Sequence, residues 1–210
     1  MASFLLMAIG HLGTHQLSWV SSQISSYPAT APHDYFVTSS IFLSSLSLVI
    51  IGILVSKYKI LGRSYFAHLI PGLSGAAAAG LIMLASYEET AKTLSLLKQS
   101  GFWAIRVQSF HDAGLFIFFY SALLLVMLLG LLAMIHNKEF NYKVLGGIIF
   151  SAGPASYLLM TTRWPKAIGF EGVTTGVNQR AALFCLWMAV TLILVIVSRN
   201  RYSSMADNDE

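Results

Sequence analysis

The chain has 210 residues, of which 56% are hydrophobic and only 10% are charged, with a formal net charge of +4. Long apolar runs separate the charges, which excludes a water-soluble globular domain and leaves no room for a separate soluble catalytic domain. The runs are continuous rather than alternating, which disfavours a transmembrane β-barrel. No basic block resembles a nucleic-acid-binding arm, so no nucleic-acid partner is expected.

Six apolar runs, each close to the ~20 residues that cross a bilayer, predict six transmembrane helices. They lie near residues 3–20, 36–56, 66–86, 109–135, 144–162 and 178–198. The predicted fold class is all-α integral membrane: a six-transmembrane-helix bundle over residues 1–202, followed by a disordered acidic tail at 203–210. The first run lacks the basic start of a signal peptide and is interpreted as a retained helix.

The basic residues in the connections indicate the orientation of the bundle. One side carries Lys57, Lys59, Arg63, Lys138, Lys143, Arg199 and Arg201. The other side carries Lys92, Lys98, Arg106, Arg163, Lys166 and Arg180, but three of these lie in one long connection, which biases orientation less. The pattern predicts both termini in the cytoplasm, in a multi-pass protein of the cell membrane, most simply the bacterial inner membrane.

Small residues in the third and fifth spans predict how these helices pack. Gly72, Ala76 and Gly80 repeat at intervals of four and indicate a smooth seam for close helix contact. Gly153 and Pro154, after two earlier glycines, predict a kink or break in the fifth span.

The longest connection, Tyr87–Ser109, carries apolar residues on one side of a potential short helix. This pattern is typical of a helix that lies in the membrane interface.

Polar residues from every span gather toward the outer leaflet in this topology. The candidate ligand-binding residues are Glu88, His111, Asp112, Arg163, Gln179 and Arg180. Ionisable groups at membrane depth are costly, so they tend to face the bundle interior, pair with one another and mark function. A structural alternative is that Asp112 and Arg180 merely neutralise each other.

The candidate metal ligands are His11, His15 and His111. His11 and His15 are four residues apart and share a helix face, and an open site with three protein ligands suits catalytic zinc. Satisfied intramembrane histidines explain the same pair. Haem ligated by His11 with His68 or His111 is less favoured, because the predicted depths do not match.

Four segments resemble a bacterial six-helix membrane family catalogued as the domain of unknown function number nine hundred ninety-eight. They are Ile24–Phe36, the small-residue-rich third span with its acidic outer turn, His111–Gly114, and Gly176–Arg180 followed by Trp187. Where the family tends to show Phe-Pro-Thr-Asp, this chain has Tyr87-Glu-Glu-Thr90, which keeps an acidic residue but lacks the proline. The resemblance implies six helices and an outward polar cluster, but no reaction.

Three functions remain open from the sequence. The first is a non-enzymatic protein that binds a membrane lipid headgroup, a small ligand or a partner membrane subunit at the polar cluster. The second is a membrane-embedded hydrolase with a metal-activated water held by His11, His15 and His111. The third is a proton-coupled transporter or a haem-binding subunit. The transporter is disfavoured because the cytoplasmic half lacks a matching chain of ionisable groups and no inverted repeat is evident.

Overall fold

The computed structural model describes residues 34–57, 68–96, 101–136, 139–162, 165 and 175–206. Five helices follow one another in these residues: α1 (Asp34–Lys57), α2 (Leu69–Leu96), α3 (Gly101–His136), α4 (Phe140–Thr161) and α5 (Thr175–Ala206). The described part of the chain contains no strand. The predicted all-helical class is confirmed to this extent.

Each of the five helices contains a stretch long and apolar enough to cross a membrane. The stretches are Thr38–Ser56, Leu69–Ser86, Phe110–His136, Asn141–Thr161 and Val177–Ile196. They agree with the predicted second to sixth spans within a few residues, because hydropathy identifies the part of a helix that lipid surrounds. The predicted first span lies outside the described residues, so the count of six stays a prediction.

The helices extend beyond these apolar stretches. α2 runs on to Leu96 and α3 begins at Gly101, so the prediction of a separate interfacial helix within Tyr87–Ser109 is wrong. Extending a helix that already exists costs less than starting a new one, because only the first turn carries the nucleation penalty. α5 reaches Ala206, so residues 203–206 of the predicted disordered tail are helical.

Consecutive helices pack side by side, and α5 also touches α3. α3 is therefore central, and Leu125, Leu129 and Leu132 on it are almost fully buried. Neighbouring helices run antiparallel, which brings the starts of α1, α3 and α5 to the same end as the last turns of α2 and α4. We call this the Arg180 end, and the opposite end, where α3 finishes, the His136 end.

Two pairs of glycines bring α3 into backbone contact with its neighbours. A Cβ atom built on Gly80 of α2 would lie 2.7 Å from the carbonyl oxygen of Gly114 of α3. A Cβ atom built on Gly130 of α3 would lie 2.7 Å from the carbonyl oxygen of Gly146 of α4. No side chain fits at these distances. Close backbone packing of this kind is what holds helices together in lipid, where apolar burial gives little drive.

Within the described bundle, the predicted seam of Gly72, Ala76 and Gly80 makes a close helix contact only at Gly80. Gly72 is exposed, and a Cβ atom built there would meet nothing within 4 Å. Ala76 is half-buried, whereas Ala77 and Ser74 are buried on the side that packs. Two residues eight apart lie about 80° apart around a helix, so Gly72 and Gly80 do not share one face.

α4 continues through Pro154 as one helix, so the fifth span is not broken. Gly146 and Gly153 serve packing, because a Cβ atom on Gly153 would lie 3.1 Å from the Met127 sulfur and one on Gly146 would lie 2.8 Å from the Gly130 carbonyl oxygen. The serine hydroxyls of α4 bond within the helix: Ser151 Oγ donates to the Gly147 carbonyl oxygen at 2.8 Å and Ser156 Oγ to the Ala152 carbonyl oxygen at 2.7 Å. Hydrogen bonds of this local type let serine lie in a membrane helix without an unpaired polar group.

Candidate functional site

His111 lies near the Arg180 end, on the side of α3 that faces α2. It comes three residues before Gly114, where a Cβ atom would lie 2.8 Å from the Cβ of Met83 on α2. Residues three apart share a helix face. His111 is therefore buried, with 9% of its surface exposed. Asp112, one position further, is exposed.

Glu88 occupies a helical position of α2 at the level of His111. A Cβ atom on Gly114 would lie 3.2 Å from the backbone nitrogen of Leu84. One turn beyond this contact come position 88 on α2 and position 111 on α3. The helix register thus brings two of the predicted site positions to the same level of the bundle.

The first turns of α5 carry three consecutive polar residues inside the bundle. Asn178 and Gln179 are 9% and 6% exposed, and Arg180 is half-buried with its Nε atom enclosed. All three belong to the membrane-spanning stretch Val177–Ile196. Lipid offers no hydrogen bonds at this depth, so such groups must be satisfied by protein or by a ligand.

Asn178 ties the start of α5 to the end of α4. Its Nδ2 donates to the carbonyl oxygen of Thr162 at 2.9 Å and, more weakly, to that of Met160 at 3.4 Å. Carbonyl groups in a last helical turn lack intrahelical donors, so this amide caps α4. Only the nitrogen of an amide can face two carbonyl oxygens, which fixes the orientation of the side chain.

The other amide atom of Asn178, Oδ1, is buried and accepts no hydrogen bond in the described structure. A buried acceptor without a donor costs about 1–3 kcal/mol. The site therefore offers an enclosed oxygen acceptor close to the first turn of α5. One turn deeper, Ser156 Oγ of α4 donates to the Ala182 carbonyl oxygen at 3.1 Å and holds the same two helices together.

The two halves of the predicted site share the Arg180 end but lie at different depths. α4 packs beside Leu123 of α3 at Gly153, and beside Ala182 of α5 about one turn later. With a rise of about 1.5 Å per residue, these contacts place His111 roughly 10 Å nearer the end of the bundle than Arg180. The candidate site thus has an outer level at His111 and an inner level at Gln179 and Arg180.

Three predicted site residues, His11, His15 and Arg163, lie outside the described residues. Among the residues that are described, no three His, Cys, Asp or Glu side chains are close enough to hold a metal ion. The predicted zinc site needs His11 and His15 beside His111, so it stays a prediction. His68 is exposed at the His136 end, far from His111 along the bundle axis.

The predicted ligand set contains Gln179 and Arg180 but not Asn178, which directly precedes them. Its only marker in the sequence is its spacing of four from Ala182, a small residue that lets α4 approach. That spacing puts the amide on the face of α5 that packs against α4.

Comparison of the chain with models of protein families, with curated proteins and with solved structures found no match. The function is therefore argued from the residues of the chain, since no relative supplies a fold-level analogy or an assigned site.

Proposed function

We propose that the chain is a multi-pass protein of the cell membrane, in the bacterial inner membrane, that binds an anionic lipid headgroup at the Arg180 end without catalysing a reaction. The observation that carries this proposal is the burial of Asn178 and Gln179 next to Arg180 within a membrane-spanning stretch. Polar and charged groups at this depth are rare, and they are typical of sites that bind something.

The chemistry of the inner level favours an anion. Arg180 keeps its positive charge at any physiological pH, and its planar guanidinium group matches a phosphate or carboxylate with two parallel hydrogen bonds. The first turn of α5 adds backbone N–H groups without intrahelical acceptors and the positive end of the helix dipole. Both features attract the phosphate of a phospholipid.

A headgroup that carries hydroxyls beside its phosphate, as phosphatidylglycerol does, supplies an anion for Arg180 and hydrogen-bond donors for neighbouring polar groups. The outer level extends the site: His111 and Asp112 would contact the distal part of the headgroup. The roles of Glu88 and Arg163 stay predictions. A small phosphorylated ligand has the same chemistry and is separated from a lipid by the experiment below.

Basic residues at the opposite end support an outward-facing Arg180 end. The described helices carry four basic residues at the His136 end, Lys57, Lys143, Arg199 and Arg201, against three at the Arg180 end, Lys92, Arg106 and Arg180. Lysine and arginine concentrate on the cytoplasmic side of membrane proteins. We therefore orient the His136 end, and with it the carboxyl terminus, toward the cytoplasm. The first helix and the resemblance to the six-helix family stay predictions.

The proposal is tested by measuring lipid retention on purified protein. We expect native mass spectrometry to show phosphatidylglycerol bound to the unmodified chain, and Arg180→Ala to weaken this binding about tenfold or more, since a charge-assisted hydrogen bond is worth about 1.5–3 kcal/mol. Arg180→Lys should retain part of the affinity. Thr191→Val is the matched control, because Thr191 is an exposed residue of the same helix whose hydroxyl bonds only to the Trp187 carbonyl oxygen.

Three outcomes separate the alternatives. Equal retention of phosphatidylglycerol by Arg180→Ala and Thr191→Val contradicts the proposal. Loss of a co-purifying membrane protein in Arg180→Ala, with lipid unchanged, indicates a partner subunit. Displacement by soluble glycerol phosphate, with no dependence on the acyl chains, indicates a small ligand.

The buried position of His111 favours one second candidate, the metal-dependent hydrolase with His11, His15 and His111 around a metal ion. Elemental analysis of purified protein tests it: zinc at one equivalent that is lost in His111→Ala supports a metal centre. The absorption spectrum of the same sample tests haem, which gives a Soret band.

A further inference from the structure

An apolar groove of about 330 Å³ opens on the surface of the bundle in the half nearer the His136 end. It is lined by Leu69 and Leu73 of α2, by side chains of α3 between Leu124 and Leu131, and by Phe150 of α4. We call it the leucine groove. Its volume falls at the lower end of the range for small-molecule sites, and every side chain that lines it is apolar.

The groove follows from where the helices touch. α2 meets α3 most closely at Gly80 and Gly114, toward the Arg180 end, and α3 meets α4 at Gly130 and Gly146, toward the other end. α2 and α4 therefore make their closest contacts with α3 at different depths along the bundle. Among the described helices the space between them is left open in front of α3, and Leu128 lies half-buried in it.

The depth of the leucine groove matches one leaflet of a bilayer. Leu124 and Leu131 are seven residues apart on α3, or about 10 Å along the helix, against ~30 Å for the whole hydrocarbon core. Both residues are exposed, so the groove opens toward lipid. An acyl chain that runs along the bundle axis has the direction, the chemistry and the width to fill it.

Basic and imidazole side chains lie where the headgroup of that lipid would be. His68 is exposed and directly precedes Leu69, and Lys143 is exposed two turns before Phe150, toward the His136 end. Glu139 is also exposed there, but the helix-borne lysines and arginines of this end outnumber it. Such groups attract anionic phospholipids.

We propose that the leucine groove binds one acyl chain of an anionic phospholipid whose phosphate lies beside His68 and Lys143. This site lies at the opposite end of the bundle from Arg180. It depends neither on the proposed function nor on its residues.

The test uses tryptophan fluorescence in bilayers that contain brominated lipids, which quench on contact. In a background with the four native tryptophans replaced by phenylalanine, Phe150→Trp reports from the groove and Ile148→Trp from an open, exposed position two residues away on the same helix. We expect brominated phosphatidylglycerol to quench Phe150→Trp with an association constant about fivefold above that of bulk lipid, and Lys143→Gln to remove this preference. Ile148→Trp should follow the bulk lipid composition.

Each other outcome overturns the proposal. Identical quenching curves for Phe150→Trp and Ile148→Trp mean that the groove holds only exchanging bulk lipid. Equal quenching of Phe150→Trp by brominated phosphatidylcholine would show that the groove does not select lipids by headgroup charge. Absence of quenching by either lipid means that protein, a second copy or a partner, covers the groove. Leu131→Trp is the second groove reporter if Phe150→Trp does not fold.

Discussion

Gly80 of α2 and Gly114 of α3 lie backbone against backbone, since a Cβ atom on Gly80 would come within 2.7 Å of the Gly114 carbonyl oxygen. The contact lies one turn from His111 and fixes how α2 and α3 present the outer level of the candidate site. It also explains why these two helices stay together in lipid, where neither gains much by burying apolar side chains.

Gly80→Ala should destabilise the bundle by about 1–3 kcal/mol, because an added methyl group in a filled interface forces the helices apart. Gly72→Ala on the same helix is the matched control: its Cβ atom meets nothing within 4 Å, and alanine favours the helix by up to about 1 kcal/mol. Thermal unfolding in detergent, followed by circular dichroism, measures both. Equal midpoints for the two variants would contradict the close contact.

Two adjacent glycines of α4 provide a sharper comparison. A Cβ atom on Gly146 would lie 2.8 Å from both the Gly130 carbonyl oxygen and the Met134 backbone nitrogen, whereas one on Gly147 has its nearest neighbour at 3.8 Å, the flexible Met134 sulfur. We expect Gly146→Ala to lower the free energy of unfolding by about 1–3 kcal/mol. Gly147→Ala should be neutral or stabilising. Titration with a denaturing detergent distinguishes them, and the reverse order would show that α4 packs on another face.

Ser45 and Ser47 on α1 allow an interhelical hydrogen bond to be compared with a local one. Ser45 Oγ donates across the interface to the Ala78 carbonyl oxygen at 3.1 Å, while Ser47 Oγ donates to Leu43 of its own helix at 2.7 Å. Ser45→Ala should lose about 0.6 kcal/mol, the average for an interhelical hydrogen bond in a membrane protein. Ser47→Ala should lose less. A larger loss at Ser47 in equilibrium unfolding would refute the assignment of the packed face.

The spans were predictable because lipid sets their length and polarity, whereas their packing faces were not. In a soluble helix the apolar side marks the core, but in a membrane both sides are apolar and the sequence gives little contrast between them. Gly72 and Gly80 are the same residue type in the same helix, yet only Gly80 is buried. Which glycine meets a neighbour depends on the crossing of two helices, which no single segment encodes.

The sequence predicts that the candidate site residues lie at one end of the bundle, but not how deep each of them lies. Alternating helices bring His111 and Arg180 to the same end, as counting the spans predicts. Their offset of roughly 10 Å arises from the registers at Gly153 and Ser156, which hydropathy does not define. The extra helical turns of α2 to Leu96 are not predictable from hydropathy. Polar residues after an apolar run mark where the chain leaves the membrane, and the helix can continue beyond that point.

Asn178 provides the last prediction, because its two amide atoms have different roles. Asn178→Ala should destabilise the protein by about 1–3 kcal/mol, since the carbonyl oxygens of Thr162 and Met160 lose their buried donor. Asn178→Asp keeps the shape but points oxygen at these carbonyls, so we expect it to be at least as destabilising in thermal unfolding. Wild-type stability of Asn178→Asp would mean that the amide does not cap α4. Thr191→Ala is the control on the same helix, because Thr191 is exposed and its hydroxyl donates to the Trp187 carbonyl oxygen of its own helix.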